Sequence, residues 1–280
     1  MPRNKKSEQT VDGKEMVALL RSLWELHVLN VFLPRSSSYE LMITSFAAIN
    51  APSPVFAEYG PYTGHTSVYL TSIASKLGGR SILVDNYKQF FVRGLGIPAD
   101  RFEKILRANV GVIPENKFTV LNKDVLVDRD LGTRPGLIYY DICHSARSAD
   151  VIHEIVMEND QADHPMMIII DDAVELHQWN EAFRRRWTEL WSTTTRNHMK
   201  PFFLTGNRLF LSNYEVPDTF FQMVNVMERF NYVSNTNKVF DSYDWKSTWH
   251  SEYKVQKTTK SEEFVEDDLF WNSLAEVCSQ

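Results

Sequence analysis

Cysteine is nearly missing from this sequence: there are two, Cys143 and Cys278, in 280 residues. They make no Cys-x-x-Cys pair, so neither a disulfide framework nor a zinc site is indicated. A reducing, intracellular setting, the cytoplasm, is the expectation. Also missing is any apolar run of the ~18 residues that a membrane span needs, so no membrane partner is expected. The first residues, MPRNKKSEQT, are basic, but no apolar segment comes after them, which argues against a secretory signal. An excess of positive charge is missing too. Lys and Arg number 30 against 36 Asp and Glu, a formal net charge of −6. That removes the electrostatic reason to expect nucleic acid or an anionic surface as partner.

What is present is an ordinary globular composition, 43% hydrophobic and 24% charged. The length suits one large α/β domain with additions. Residues 1–13 read as a disordered basic tail. Residues 14–50 carry two helical patterns, 14–33 closed by Pro34 and 39–50 ended before Pro52, and form an N-terminal helical cap. Strand and helix then alternate over 51–213. Strand signals fall at 54–60, 81–86, 117–124, 136–141 and 166–172, with helical patterns at 65–77, 98–112, 146–158 and 174–197. The last segment, PFFLTGNRLFLSN (201–213), reads as two strands around a Thr-Gly-Asn turn. Alternation of this kind argues for an α/β fold with a mainly parallel sheet and right-handed crossovers. Residues 214–280 form a C-terminal extension, aromatic and polar, with a helix over 262–277. It is expected to pack on the domain or on a second subunit, so a homodimer is one reading.

The segment VFAEYGPYTGHTS (55–67) runs from strand through turn to helix. In open α/β sheets, ligands sit beyond the carboxyl ends of the strands. Gly60 and Gly64 can let backbone approach a ligand, and a helix starting near Thr66 and Ser67 offers N–H groups to a carboxylate. A dinucleotide fingerprint, G-x-G-x-x-G, counted from Gly60 would need glycine where Tyr62 and His65 stand. A nicotinamide cofactor is therefore disfavoured. Asp85 and Asn86 close the second strand. An acid there can hold ribose hydroxyls. Asp124 closes the third strand and is either a ligand contact near a base or a cap for the next helix.

Further acids end the next strands: Asp141 after the fourth, Asp171 and Asp172 after the fifth. Unpaired carboxylates that converge repel one another, so a cation or raised pKa values are expected. Oxygen ligands suit Mg²⁺. His144 lies three residues after Asp141, and histidine is the natural base near neutral pH.

The loop FAEYGPYTGHTS, the strand SILVDN, the segment LIYYDICHS and the strand IIIDDA resemble successive motifs of class I S-adenosylmethionine (SAM)-dependent methyltransferases. They are most similar to the metal-dependent small-molecule O-methyltransferases: the macrolide sugar and cephalosporin-hydroxylase-like group, and the catechol type. The resemblance covers about residues 50–213. It implies a Rossmann-like sheet of seven strands, mostly parallel, with helices on both faces and an antiparallel last strand. It implies SAM held by Glu58, Gly60, Tyr62, Gly64, Thr66, Ser67, Asp85, Asn86 and Asp124. It implies Mg²⁺ at Asp141, Asp171 and Asp172, with Asp141 and His144 catalytic and His144 as the base on a small-molecule hydroxyl. One departure stands out: Ile142 and Cys143 replace the Gly-Asp of the usual Ile-Asp-Gly-Asp-His phrase.

The residues leave two rival readings open. One is a SAM- or S-adenosylhomocysteine-binding regulatory protein that has lost chemistry, motivated by Ile142 and Cys143. The other is a nucleotide- or NAD-using enzyme on a doubly wound sheet. Among remaining residues, Tyr59, Tyr62, Tyr87 and Phe90 can stack on a base or line a sulfonium site. His177 reads as a helix-surface residue, Arg184–Arg186 as a solvated face, and Trp179, Trp187 and Trp191 as core or interface.

Overall fold

The computed structural model describes residues 12–28, 38–62, 64–86, 99–111, 113–142, 145–173, 181–191, 195, 198–205, 208–230, 237–238 and 267–279. Eight strands form one sheet: β1 (Val55–Tyr59), β2 (Arg80–Asp85), β3 (Phe118–Asn122), β4 (Leu137–Tyr140), β5 (Met167–Ile170), β6 (Lys200–Thr205), β7 (Arg208–Ser212) and β8 (Asn237–Lys238). Their order is β3-β2-β1-β4-β5-β7-β6-β8. The first five strands pair in parallel; β7 runs antiparallel to β5 and to β6. This is the mostly parallel α/β sheet with a closing hairpin. The two-residue β8 beside β6 extends it by a strand that the sequence does not announce.

Helices cover both faces. Strands β1, β4 and β5 are apolar almost throughout because neither face meets water. Successive side chains alternate between two separate cores. One core takes Phe56, Leu83, Leu137, Tyr139, Ile169 and Phe210. It is covered by α1 (Gly13–Val28), α2 (Ser38–Ile49), α3 (His65–Lys76), α4 (Ala99–Val110), α7 (Asp218–Arg229) and α8 (Asp268–Cys278). The other takes Ala57, Val84, Ile138, Tyr140 and Ile168, covered by α5 (Ala146–Gln161) and α6 (Glu181–Leu190).

The first helix is described over Gly13–Val28, and residues 29–37 lie outside the described set. The helix expected over 174–197 is described only as Glu181–Leu190, and His177 and Trp179 lie outside the described residues. Trp187 and Trp191 are core, stacked with ring centroids 5.5 Å apart. Two arginines of the solvated face of α6 form ion pairs: Arg185 with Glu181, Arg186 with Asp150 and Glu189. In the C-terminal extension, α7 is a helix that the sequence does not announce. Phe220, Met223, Val224 and Met227, at helical spacing, bury into the first core. The last helix, α8, packs on α1 and α7, with Phe270, Trp271 and Leu274 buried. No helix among the described residues is long and apolar enough to cross a membrane.

Candidate active site

The carboxyl ends of the strands bring a polar row to the first face. Glu58 sits on β1, Asp85 on β2, Tyr139 on β4 with Asp141 just beyond, Asp171 just past β5, and Arg208 at the start of β7. These positions share the side-chain parity of Phe56, Leu83, Tyr139, Ile169 and Phe210, so strand alternation alone aims them the same way. Arg208, Tyr139 and Thr44 are members of this site that sequence motifs do not reveal.

Glu58 is 2% exposed, and its Oε2 has no hydrogen-bond partner. Burial pushes its carboxyl up to about 8; the nearby Ser67 hydroxyl and Arg208 pull the other way, Asp171 and Asp85 add to the rise. Ser67 Oγ is likewise buried without a hydrogen bond of good geometry. A carboxyl and a hydroxyl left so are costly unless something else satisfies them. Both point to a polar ligand between the end of β1 and the start of α3.

The glycines in this turn answer to packing. Gly60 has φ +85°, and a Cβ there would lie 1.8 Å from the Asp141 carbonyl oxygen. Gly64 has φ +90°, and its Cβ would meet Leu106 Cδ1 at 2.7 Å. So Gly60 lets the β1 turn close on the end of β4, and Gly64 lets α3 pack on α4. Approach to a ligand is not what these two positions show. Gly64 leaves the N-terminus of α3 without a side-chain cap, and Thr66 and Ser67 lie buried in its first turn. Tyr62 (φ 49°) and Asp172 (φ 53°) both hold left-handed backbone unusual outside glycine. Both sit at the carboxyl edge of the sheet, where such strain tends to gather around function.

Asp124 opens a turn rather than a helix: its Oδ1 accepts from Leu126 N–H at 3.0 Å and its carbonyl from Val127 and Asp128. Asn86 comes after β2, half-buried, beside Asp85. His144 and Cys143, like Tyr87 and Phe90, lie outside the described residues. Tyr59 belongs to the opposite core, edge-on to Tyr140.

The acid cluster differs from the expected metal set. Asp171 is taken by Arg208, with Nε 2.9 Å from Oδ1 and Nη2 3.4 Å from Oδ2, and the Tyr139 hydroxyl donates to Oδ2. Arg208 is fully buried. Burial lowers the pKa of its guanidinium, but Asp171 and Tyr139 outweigh that and raise it. Asp141 is pushed well above the usual carboxylate range, first by burial and then by Asp171 and Asp172. Among the described residues, no group of three or more His, Cys, Asp or Glu is placed to hold a metal ion. The donors therefore do not fit the three-aspartate Mg²⁺ site.

The strand order β3-β2-β1-β4-β5-β7-β6, with acids at the ends of β1, β2 and β4, is the mostly parallel α/β sheet with an antiparallel last strand that the sequence resemblance leads one to expect. No protein-family model and no curated protein sequence matches the chain. Solved structures do. An O-methyltransferase from Bacillus cereus in complex with SAH is 14% identical, with 71% of this chain and 89% of that one covered, TM-score 0.47. The SAH-bound Podospora anserina methyltransferase PaMTH1 is 12% identical, covering 77% and 98%, TM-score 0.47. The O-methyltransferase TomG from Streptomyces achromogenes, in complex with SAM, is 12% identical, covering 70% and 88%, TM-score 0.44. Likeness at this level concerns fold and carries none of the argument about chemistry.

Proposed function

We propose that the protein is a SAM-dependent methyltransferase acting on a hydroxyl of a small molecule. The observation that carries this reading is the buried carboxyl of Glu58 at the end of β1, one oxygen of which has no hydrogen-bond partner, facing the uncapped start of α3. Glu58 would accept from the methionine ammonium, and the first turn of α3, at Gly64, Thr66 and Ser67, would receive the methionine carboxylate. Gly60 and Tyr62 shape the turn between them. Asp85 would hold the ribose hydroxyls. Asn86 and the remaining oxygen of Asp124 would face the adenine side. When bound, the cofactor supplies an electrophilic methyl group. The chain's own part is to hold the acceptor oxygen in line with it. His144 is proposed as the base that takes the hydroxyl proton, with Asp141, three residues earlier in the chain, as the second catalytic residue. Mg²⁺ at Asp141, Asp171 and Asp172 has no step in this reading, because Asp171 is committed to Arg208.

Thermal-shift and calorimetric titrations with SAM, NAD⁺ and ATP test the cofactor. Saturable binding of SAM alone is expected. No binding of SAM at sub-millimolar concentration, or preference for NAD⁺, overturns it. The non-catalytic rival is separated by His144→Ala. Transfer of labelled methyl to any hydroxylated acceptor that stops in this variant, while SAM binding persists, favours the enzyme.

A further inference from the structure

We propose that Arg208 is a built-in cation that serves the strand-end carboxylates in place of a divalent metal ion, and that it is the positioning residue for Asp171 and the N-terminal cap. The inference deepens the proposed site but does not depend on its cofactor. The pairing of Ile170 with Leu209 sets Arg208 beside Asp171, so the ion pair results from strand register rather than from a chance rotamer. Two guanidinium nitrogens meet the two carboxylate oxygens of Asp171, and the Tyr139 hydroxyl adds a third donor. That occupies three of roughly four lone-pair positions on the carboxylate. The guanidinium also lies over the Tyr139 ring, 5.1 Å from its centroid. Its Nη1 donates to Thr44 Oγ1 of α2 at 2.8 Å. One side chain thus joins the end of β5, the end of β4 and the helix that roofs them.

A dication on an Asp171 oxygen would lie within a few ångström of this guanidinium. Like charges that close in a dry interior repel strongly. To admit the ion, Arg208 would have to leave, and it is fully buried and held to α2 through Thr44. A buried cation without its partner is costly. The geometry therefore excludes shared occupancy of Asp171 by arginine and metal.

The test is Mn²⁺ titration of the full chain followed by electron paramagnetic resonance, with melting curves in EDTA and in millimolar Mg²⁺. Wild type is expected to show no stoichiometric Mn²⁺ site at sub-millimolar concentration and the same melting midpoint in both solutions. Arg208→Gln is expected to melt lower and to recover part of the loss when Mg²⁺ or Mn²⁺ is added; Arg208→Lys is expected to stay insensitive to metal. A stoichiometric Mn²⁺ site in wild type that Asp141→Asn or Asp171→Asn weakens tenfold or more overturns the proposal. If Arg208→Gln does not fold, the wild-type titration against the two aspartate variants decides alone. Because none of these readouts uses SAM, their failure is separable from failure of the cofactor reading.

Discussion

The α-carbon of Gly60 faces the main chain of Asp141 so closely that a methyl group there would lie 1.8 Å from the Asp141 carbonyl oxygen. The turn after β1 and the end of β4 are thus one packed unit. Gly60→Ala meets both this overlap and the cost of alanine at positive φ. Its effect is expected to be structural, about 3 kcal/mol or more off unfolding stability, measured by urea denaturation. At Gly64 the obstacle is the tip of a flexible Leu106 side chain. Gly64→Ala is therefore expected to lose less, about 1–2 kcal/mol. Equal losses at both positions would contradict the packing argument.

Glu58 gives the ligand-free protein a pH dependence with a definite sign. Its folded-state pKa, about 8, lies above the ordinary 4.5. The fold therefore favours the protonated form. The stability this contributes is complete below the ordinary value and is lost as pH rises through about 8. Without ligand, the melting midpoint should fall between about pH 4.5 and about pH 8, the ordinary and the folded-state values, and level off above. Glu58→Gln, neutral at every pH, should flatten that slope and melt higher than wild type at the alkaline end. A steeper slope in the variant would refute the assignment.

Thr44 ties the roof of the site to its floor by accepting from Arg208 Nη1 at 2.8 Å. Thr44→Val keeps the shape and removes the acceptor, leaving a buried guanidinium N–H unsatisfied. A loss of about 1–3 kcal/mol is expected. Hydrogen exchange should show faster opening of α2 than of α5, which packs on the other face. Unchanged exchange in α2 would show that the bond does not hold the cap.

The parallel half of the sheet is legible in the sequence because its strands are short and mostly apolar, the central β1, β4 and β5 being buried on both faces, and because an acid or glycine lies at or just past the end of each. The turn at 58–67 is legible for the same reason, though the purpose of its glycines is not. Whether a missing Cβ faces a ligand or a neighbouring strand depends on which strands adjoin, here β1 and β4. Arg208 is invisible for a related reason. An arginine after a Thr-Gly-Asn turn looks solvent-exposed, and only the antiparallel register of β5 and β7 buries it against Asp171. Asp171 and Asp172, adjacent in sequence, look like one metal pair, and only the structure shows that Asp171 is engaged by Arg208. The helix α7 goes unread in the sequence although Phe220, Met223, Val224 and Met227 stand at helical spacing. Its Asp-Thr-Phe-Phe-Gln start amid aromatic residues masks the period.

The central claim is that a methionine-bearing cofactor is held through Glu58. Calorimetric titration of S-adenosylhomocysteine into wild type and Glu58→Gln, near neutral pH, tests it most directly. A hydrogen bond to a charged group is worth about 1.5–3 kcal/mol. The account therefore predicts saturable binding to wild type and roughly ten- to a hundredfold weaker binding to the variant. Equal affinity in the two proteins, or no binding to wild type, would contradict it.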